Sequence, residues 1–312
     1  MAADNQPRGE LELVRRIAAL LAPPDGAAAP TVRFGDDMAA ADGPLLWTVD
    51  MLMDGVDFDS RVHGWPAIGR KAMAVNLSDC AAMGATPASA VCAVALSNRL
   101  SMDEAVALHR GAHECGLAFG CPIVGGDTNS WDHPTVISIT VAARCDAGAS
   151  PVPRDGARPG DQLWVTGCVG GSLLGRHLTF EPRVALGREI ARRLAPHAMI
   201  DISDGLVLDL WRILDASGCG AVLDETALAA ATHADAHRAA VQDGRSARAH
   251  ALYDGEDFEL LVALPPGTSA DVCRRLGSLR LGDFTADAGR VLLRQADGVE
   301  RELPVRGWEH FR

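Results

Sequence analysis

Acidic side chains recur in six short groups along the chain: Gly35-Asp36-Asp37, Thr48-Val49-Asp50, Asn76-Leu77-Ser78-Asp79, Gly125-Gly126-Asp127-Thr128, Asp201-Ile202-Ser203-Asp204-Gly205 and Gly255-Glu256-Asp257. Each is expected where a strand runs into a turn or a helix. Hard cations take oxygen ligands, and Mg²⁺ reaches phosphates through a few carboxylates and waters, so repeated Gly-flanked acids suit Mg²⁺ and phosphate chemistry. A single group has an ordinary alternative, because Asp is common in turns and at helix N-termini, and Asp204 before Gly205 and Leu206 could serve only as a cap. Six groups weigh against it. Asn76 and Asp79 sit at i, i+3 in an otherwise apolar stretch, and Asp127 follows an apolar run and two glycines. Burying such groups without partners is costly, and shared divalent cations would compensate several at once.

The elements that must position these acids follow from hydrophobic spacing. Leu11, Val14, Ile17, Ala18 and Leu21 mark a helix ended by Pro23-Pro24. Leu45 to Val49 and Ala88 to Leu96 read as strands flanking a small-residue helix from Pro66 to Ala82. Ser101-Met-Asp-Glu104 is a capping box opening a helix to about Leu117, and strands are expected at Cys121 to Val124 and Thr135 to Ala143. The Pro- and Gly-rich run from Pro151 to Gly160 reads as a connection. Two domains are expected, 1–148 and 149–312. The second offers strands at Leu163 to Thr166, Met199 to Ile202 and Phe258 to Leu264, helices at Val184 to Leu194 and Leu206 to Asp215, and a helical Ala-rich region from Thr226 to Ala251. The pattern is α/β.

The chain has 312 residues, 48% hydrophobic, with a net charge of −12. That balance disfavours nucleic acid and anionic membranes, which need a basic face, and leaves a small-molecule partner. No apolar signal or membrane-spanning run stands out, so a soluble cytoplasmic protein is expected. The eight cysteines form no C-x-x-C pair and read as buried thiols rather than zinc ligands. A Walker A loop is excluded, because it needs Gly-Lys and the sole lysine, Lys71, follows Arg70. His109 and His113 have i, i+4 spacing without an acidic third ligand, and read as a solvated helix face.

The runs Phe-Gly-Asp-Asp-Met-Ala (34–39), Thr-Val-Asp-Met-Leu-Met-Asp-Gly-Val (48–56), Ile-Gly-Arg-Lys-Ala-Met-Ala-Val-Asn-Leu-Ser-Asp-Cys-Ala-Ala-Met-Gly-Ala-Thr-Pro (68–87), Val-Gly-Gly-Asp-Thr (124–128), Asp-Ile-Ser-Asp-Gly-Leu (201–206) and Gly-Glu-Asp-Phe-Glu-Leu-Leu (255–261) resemble thiamine-monophosphate kinases. They span most of the chain in the family's order. The wider superfamily includes aminoimidazole ribonucleotide synthetase, selenophosphate synthetase and a hydrogenase maturation factor. The first cysteine is Cys80 and the chain ends Gly-Trp-Glu-His-Phe-Arg, which fits neither the N-terminal reactive cysteine of the second nor the C-terminal cysteine of the third.

The resemblance implies a two-domain architecture, with an N-terminal sheet closing a β-barrel across a homodimer and a C-terminal α/β domain beside it. It implies that ATP gives its γ-phosphoryl group to thiamine monophosphate by direct in-line transfer, assisted by several Mg²⁺ ions and without a catalytic side chain. By motif position, Asp36, Asp37, Thr48, the backbone of Val49, Asp50, Asp79, Asp127, Asp201 and Asp204 are implied metal ligands. His109, Gly126, Asp127, Arg154 and Ser203 match ATP-contacting positions; Asp57, Glu256 and Trp308 match acceptor-contacting ones. Plain alternatives stand beside two of these: a surface arginine for Arg154 and core packing for Trp308. Three positions depart from the family. Asp57 replaces a histidine, His109 aligns with a tyrosine, and Tyr-Asp-Gly-Glu-Asp-Phe lacks a second glycine before Glu256. An acid at 57 beside a phosphate keeps a second reading open, a same-fold ATP-dependent enzyme with another acceptor.

Overall fold

The computed structural model describes residues 10–21, 32, 34–40 and 45–309. The first half forms helix α1 (Glu10–Leu20), strands β1 (Ala39–Ala40) and β2 (Leu45–Met53), helix α2 (Trp65–Ala82), strand β3 (Thr86–Ser97), helix α3 (Met102–Ala118), and strands β4 (Ile123–Trp131) and β5 (Val136–Arg144). Their sheet has the order β1-β2-β5-β3-β4, antiparallel except for the parallel pair β3 and β4. It is open, with β1 and β4 at its edges; the described residues of one chain close no barrel. Pro23 and Pro24, expected to end α1, lie outside the described residues, as do residues 310–312.

Alternation along β2 decides what each face does. Leu46, Thr48 and Leu52 are buried under α2, whereas Trp47, Val49 and Met51 are exposed on the other side. Helix α2 is buried along nearly its whole length. Two glycines let α2 and α3 cross in backbone contact: a methyl at Gly69 would lie 1.9 Å from the Leu108 carbonyl oxygen, and one at Gly111 would lie 2.0 Å from that of Pro66. The expected capping box opens α3, with Ser101 and Glu104 bonding reciprocally.

The second half continues with strand β6 (Gln162–Val165), helix α4 (Val184–Leu194), strand β7 (Ala198–Asp201), helix α5 (Leu206–Ser217), strand β8 (Gly220–Asp224), short helices α6 (Glu225–Ala230), α7 (Ala234–Asp243) and α8 (Ala247–Tyr253), strand β9 (Leu260–Leu264), helix α9 (Ala270–Arg275), and strands β10 (Leu279–Thr285), β11 (Val291–Arg294) and β12 (Glu300–Glu302). The sheet order is β12-β11-β8-β10-β6-β9-β7. Edge strand β7 and helix α4 both pack on α2, and residues from both halves share one hydrophobic core. The result is a mixed α/β fold of two sheets, with α2 between them.

Four expectations change. Asp50 lies inside β2 and Asp127 inside β4, rather than in turns, because β2 runs on to Met53 and β4 pairs with β3 as far as Trp131. A side chain at Gly126 would clash with the Cys92 carbonyl oxygen at 1.8 Å, so glycine there serves strand pairing. The Ala-rich region is three helices, interrupted at Ala231–His233 and Gly244–Ser246. β9 begins at Leu260, because Phe258 has φ +52° and leaves the extended conformation. All eight cysteines are free, six buried and two half-buried. No helix among the described residues is long and apolar enough to cross a membrane.

Candidate active site

Three carboxylates converge where the two halves meet. Asp37 comes from the loop after Gly35, Asp79 from α2 and Asp201 from the end of β7, and one oxygen of each lies within 4.8 Å of the others. Neighbouring donors orient them. The Thr48 hydroxyl donates to Asp79, and the Ser78 hydroxyl donates to Asp201 at 2.5 Å. Asn76 accepts the Asp50 N–H at 3.2 Å and donates to the Ala72 carbonyl, tying β2 to α2. The inward alternation of β2 therefore aims Thr48 and Asp50 at the face of α2 that carries Asp79.

A cavity of about 620 Å³ opens over this cluster, lined by Asp36, Asp37, Thr48, Val49, Asp50, Asp79, Arg154, Asp201, Ser203, Asp204 and Arg212 among others. Val49 also lines the cavity, although its side chain belongs to the outward face of β2. Three arginines line it: Arg15, which pairs with Asp215, and two that sit among the cluster acids. Arg154 pairs with Asp37 and lies 3.5 Å from Asp36, whose carboxylate also accepts the Arg154 N–H. Arg212 bridges Asp204 at 2.5 Å and Asp209 at 2.6 Å.

The electrostatics are those of a site short of positive charge. Burial, then repulsion from Asp37, pushes Asp36 up to about 6 despite Arg154. Burial also lifts Asp50 to about 6, against a hydrogen bond with Asp79 and with Asp37 adding repulsion. Burial raises Asp37, and raises Asp79 and Asp201 well above the usual carboxylate range, with neighbouring acids adding to the last two. Asp37 Oδ2 is buried without a hydrogen-bond partner among the described residues. Convergent oxygens, mutual repulsion and an orphaned carboxylate oxygen fit a divalent cation such as Mg²⁺.

A second cavity of about 310 Å³ shares Asp50, Ser203 and Asp204 with the first and continues past Asp57, Lys71, Val75, Leu173, Glu256 and Trp308. Asp57 lies on its wall, and its carboxylate accepts the Met53 N–H at 2.7 Å, closing the turn after β2. Glu256 is held in the left-handed region at φ +66°, a conformation costly for a residue with a side chain. Its N–H donates to the Ser203 carbonyl at 2.7 Å, so this strained turn is bonded to the segment carrying Asp201 and Asp204. Burial acts to raise the Glu256 carboxyl, but His177 and Lys71 outweigh it and hold it below its ordinary value. The Trp308 main-chain N–H donates to the Asp204 carbonyl at 2.9 Å, and the residue lines the cavity while 46% exposed.

Three implied ATP-site residues lie elsewhere in the chain. Register places Asp127 opposite Ala93, Ala93 opposite Ser138 and Ser138 opposite Met51. Asp127 thus belongs to the outward row of Met51, three strand spacings or about 14 Å from β2 and on the face opposite Asp50. Gly126 is its strand neighbour. His109 lines a groove of about 770 Å³ along α3 with Met102, Val106, Thr128 and Ser130. Sequence reasoning missed Arg212, Asp209, His177 and the placement of Lys71. The first two are readable as an i, i+3 pair following the Asp-Gly turn; His177 carries no local signal.

Two sheets around a buried central helix, with a carboxylate cavity at their junction, define the chain as an aminoimidazole-ribonucleotide-synthetase-like α/β protein. A family model described as "AIR synthase related protein, N-terminal domain" matches residues 35–145. Two curated thiamine-monophosphate kinases are similar over most of their length: that of Rhodopirellula baltica is 42% identical over 77% of this chain and 78% of its own, and that of Halobacterium salinarum is 36% identical over 89% and 95%. A solved structure, AaThiL complexed with AMPPCP and TMP, superposes with a TM-score of 0.83 at 27% identity, covering 97% of both chains. The chain belongs to the thiamine-monophosphate kinase family.

Proposed function

We propose that the chain transfers the γ-phosphoryl group of ATP to the phosphate of thiamine monophosphate, giving thiamine diphosphate and ADP. One observation carries the reading: two cavities, one acidic and arginine-flanked, the other walled by Glu256 and Trp308, meet at Asp50, Ser203 and Asp204. Donor and acceptor phosphates brought from the two sides approach at that junction. Asp36, Asp37, Thr48, Asp50, Asp79, Asp201 and Asp204, with the Val49 main chain, would hold Mg²⁺. Bound Mg²⁺ supplies charge neutralisation between two polyanions and stabilises the charge that develops during in-line transfer. Arg154 and Ser203 flank the donor phosphates, and the Trp308 face stacks on the cationic thiazolium ring. No side chain need act as a base, because the acceptor oxygen is already anionic.

Gly126 and Asp127 fit this reading through a homodimer; His109 lies along α3 beside Thr128, on the other face of the sheet. Trp47, Val49 and Met51 of β2 and Val91 of β3 leave an exposed apolar face. Register aligns Val49 with Val91 through Thr140, and Asp127 lies in the neighbouring row. A second copy packed on this face closes the sheet into a barrel and carries its Asp127 toward the donor cavity. The organisation into 1–148 and 149–312, and a cytoplasmic location, belong to the same reading.

A second acceptor is favoured by one residue, Asp57, an acid on the acceptor wall. Its bond to the Met53 N–H supports the first reading, since the carboxylate has a turn-closing role independent of any phosphate. Incubation with ATP, Mg²⁺ and a mixture of phosphorylated acceptors, followed by mass spectrometry, tests this. Thiamine diphosphate is the expected product; another phosphorylated product in its place sinks the reading. Asp50→Asn and Asp204→Asn are expected to cut turnover at least about 100-fold, and unchanged rates refute their role.

A further inference from the structure

Lys71, the only lysine in the chain, is fully buried. Among the described residues it is also the only cationic one on the acceptor cavity, whose other charged walls are Asp50, Asp57, Asp204 and Glu256. An ammonium there could meet the acceptor phosphate directly or act through the protein, and its bonds decide between these. It has three N–H donors. One pairs with Glu256 Oε2, a second goes to the Asp57 carbonyl oxygen at 2.5 Å, and the third faces His177 Nδ1 at 3.2 Å. His177 Nδ1 also lies 3.2 Å from Glu256 Oε2, so the ring joins the same cluster of partners in either tautomer. With its side chain 1% exposed, the ammonium is enclosed by these protein partners rather than open to a ligand.

We infer that Lys71 is a positioning residue for the acceptor, acting through Glu256 and the Asp57 turn, and thereby sets affinity for the acceptor while leaving ATP binding alone. The inference rests on the kinase reading above. Its three partners come from separate parts of the chain: the turn after β2, the 3-10 turn Arg176–Leu178 and the strained turn at Glu256. The ammonium ties all three to α2. Further along the same stripe of α2 come Val75 and then Asp79, about 12 Å from Lys71 at 1.5 Å per residue. One helix thus fixes the acceptor wall near its start and the cation cluster near its end. The ion pair also compensates Glu256, which is otherwise a nearly buried charge in a left-handed backbone.

Kinetics of Lys71→Met, Glu256→Gln and the double variant test this, after wild type has been shown to form thiamine diphosphate. A wild type without that product sinks the kinase reading; with an active wild type, the variants bear on Lys71 alone. Lys71→Met is expected to raise KM for thiamine monophosphate about tenfold or more, with KM for ATP within about twofold. In the Glu256→Gln background the same change should raise it by less than about twofold, because the group it positions is already altered. An unchanged acceptor KM, an equal rise for ATP, or an undiminished effect in that background overturns the inference. If Lys71→Met does not fold, Lys71→Arg keeps the charge while changing the donor geometry, and the same comparison and criteria apply.

Discussion

Each acid in the cluster is ordinary alone and expensive in company. Asp36 and Asp50 are pushed up to about 6; burial raises Asp37, Asp79 and Asp201 in the same direction, and neighbouring acids add to the last two. The folded metal-free chain therefore binds more protons than the unfolded chain from about pH 4 upward. Its stability should fall as pH rises through about 4 to 6, since the unfolded carboxylates ionise there freely and the folded ones do not. Mg²⁺ bound at the proposed site would require the deprotonated cluster and displace those protons, so its stabilisation should grow with pH. Thermal melts with and without Mg²⁺ near pH 5.5 and near pH 8 read this out, and a pH-independent Mg²⁺ shift contradicts it. Asp79→Asn removes one charge from the repelling set. It should stabilise the metal-free protein near pH 8 by about 1 kcal/mol while abolishing most of the Mg²⁺ response.

At the scale of elements, α2 does the positioning, and its precision depends on close crossing with α3. Gly69→Ala would place a methyl 1.9 Å from the Leu108 carbonyl oxygen, a backbone atom that cannot swing aside. Destabilisation of roughly 1–3 kcal/mol is expected in urea unfolding. Gly64→Ala, whose methyl meets only Pro66 at 3.8 Å, is the matched control and should be near neutral. Equal stability of the two variants would show that the crossing is not tight. Much of this element was legible beforehand. The apolar run of α2 with Asn76 and Asp79 embedded, and the box at Ser101 and Glu104, are local patterns, and helices and strands formed where they point. Less legible were the strands after residue 278: β10 pairs with β6 through an irregularity and β12 is exposed throughout, so neither shows clean alternation. Partnerships across long separations left no trace either. Lys71 meets His177, 106 residues on, and Ser78 meets Asp201, 123 residues on. Asp127 shows the limit most sharply, because its motif suggests a ligand while its register turns it away from the cluster in its own chain.

For the whole molecule, the proposed homodimer would make the site a property of two chains. The outward face of the first sheet carries Trp47, Val49, Met51 and Val91, each more than two-fifths exposed, and Asp127 stands in the row of Met51. Wild type should sediment as a dimer, and Met51→Arg, which puts a charge in the middle of the face, should shift it to monomer with loss of turnover. Subunit mixing then asks which chain owns Asp127. Asp79→Asn and Asp127→Asn are each expected to be inactive as homodimers. Co-expressed in equal amounts, they form mixed dimers in half of the population. If Asp127 acts across the interface, each mixed dimer has one site combining an intact Asp79 cluster with an intact Asp127, and about a quarter of wild-type activity returns. If Asp127 acts within its own chain, every site in the mixture carries a lesion and activity stays at background. Recovery near a quarter therefore supports the shared site, and none sinks it.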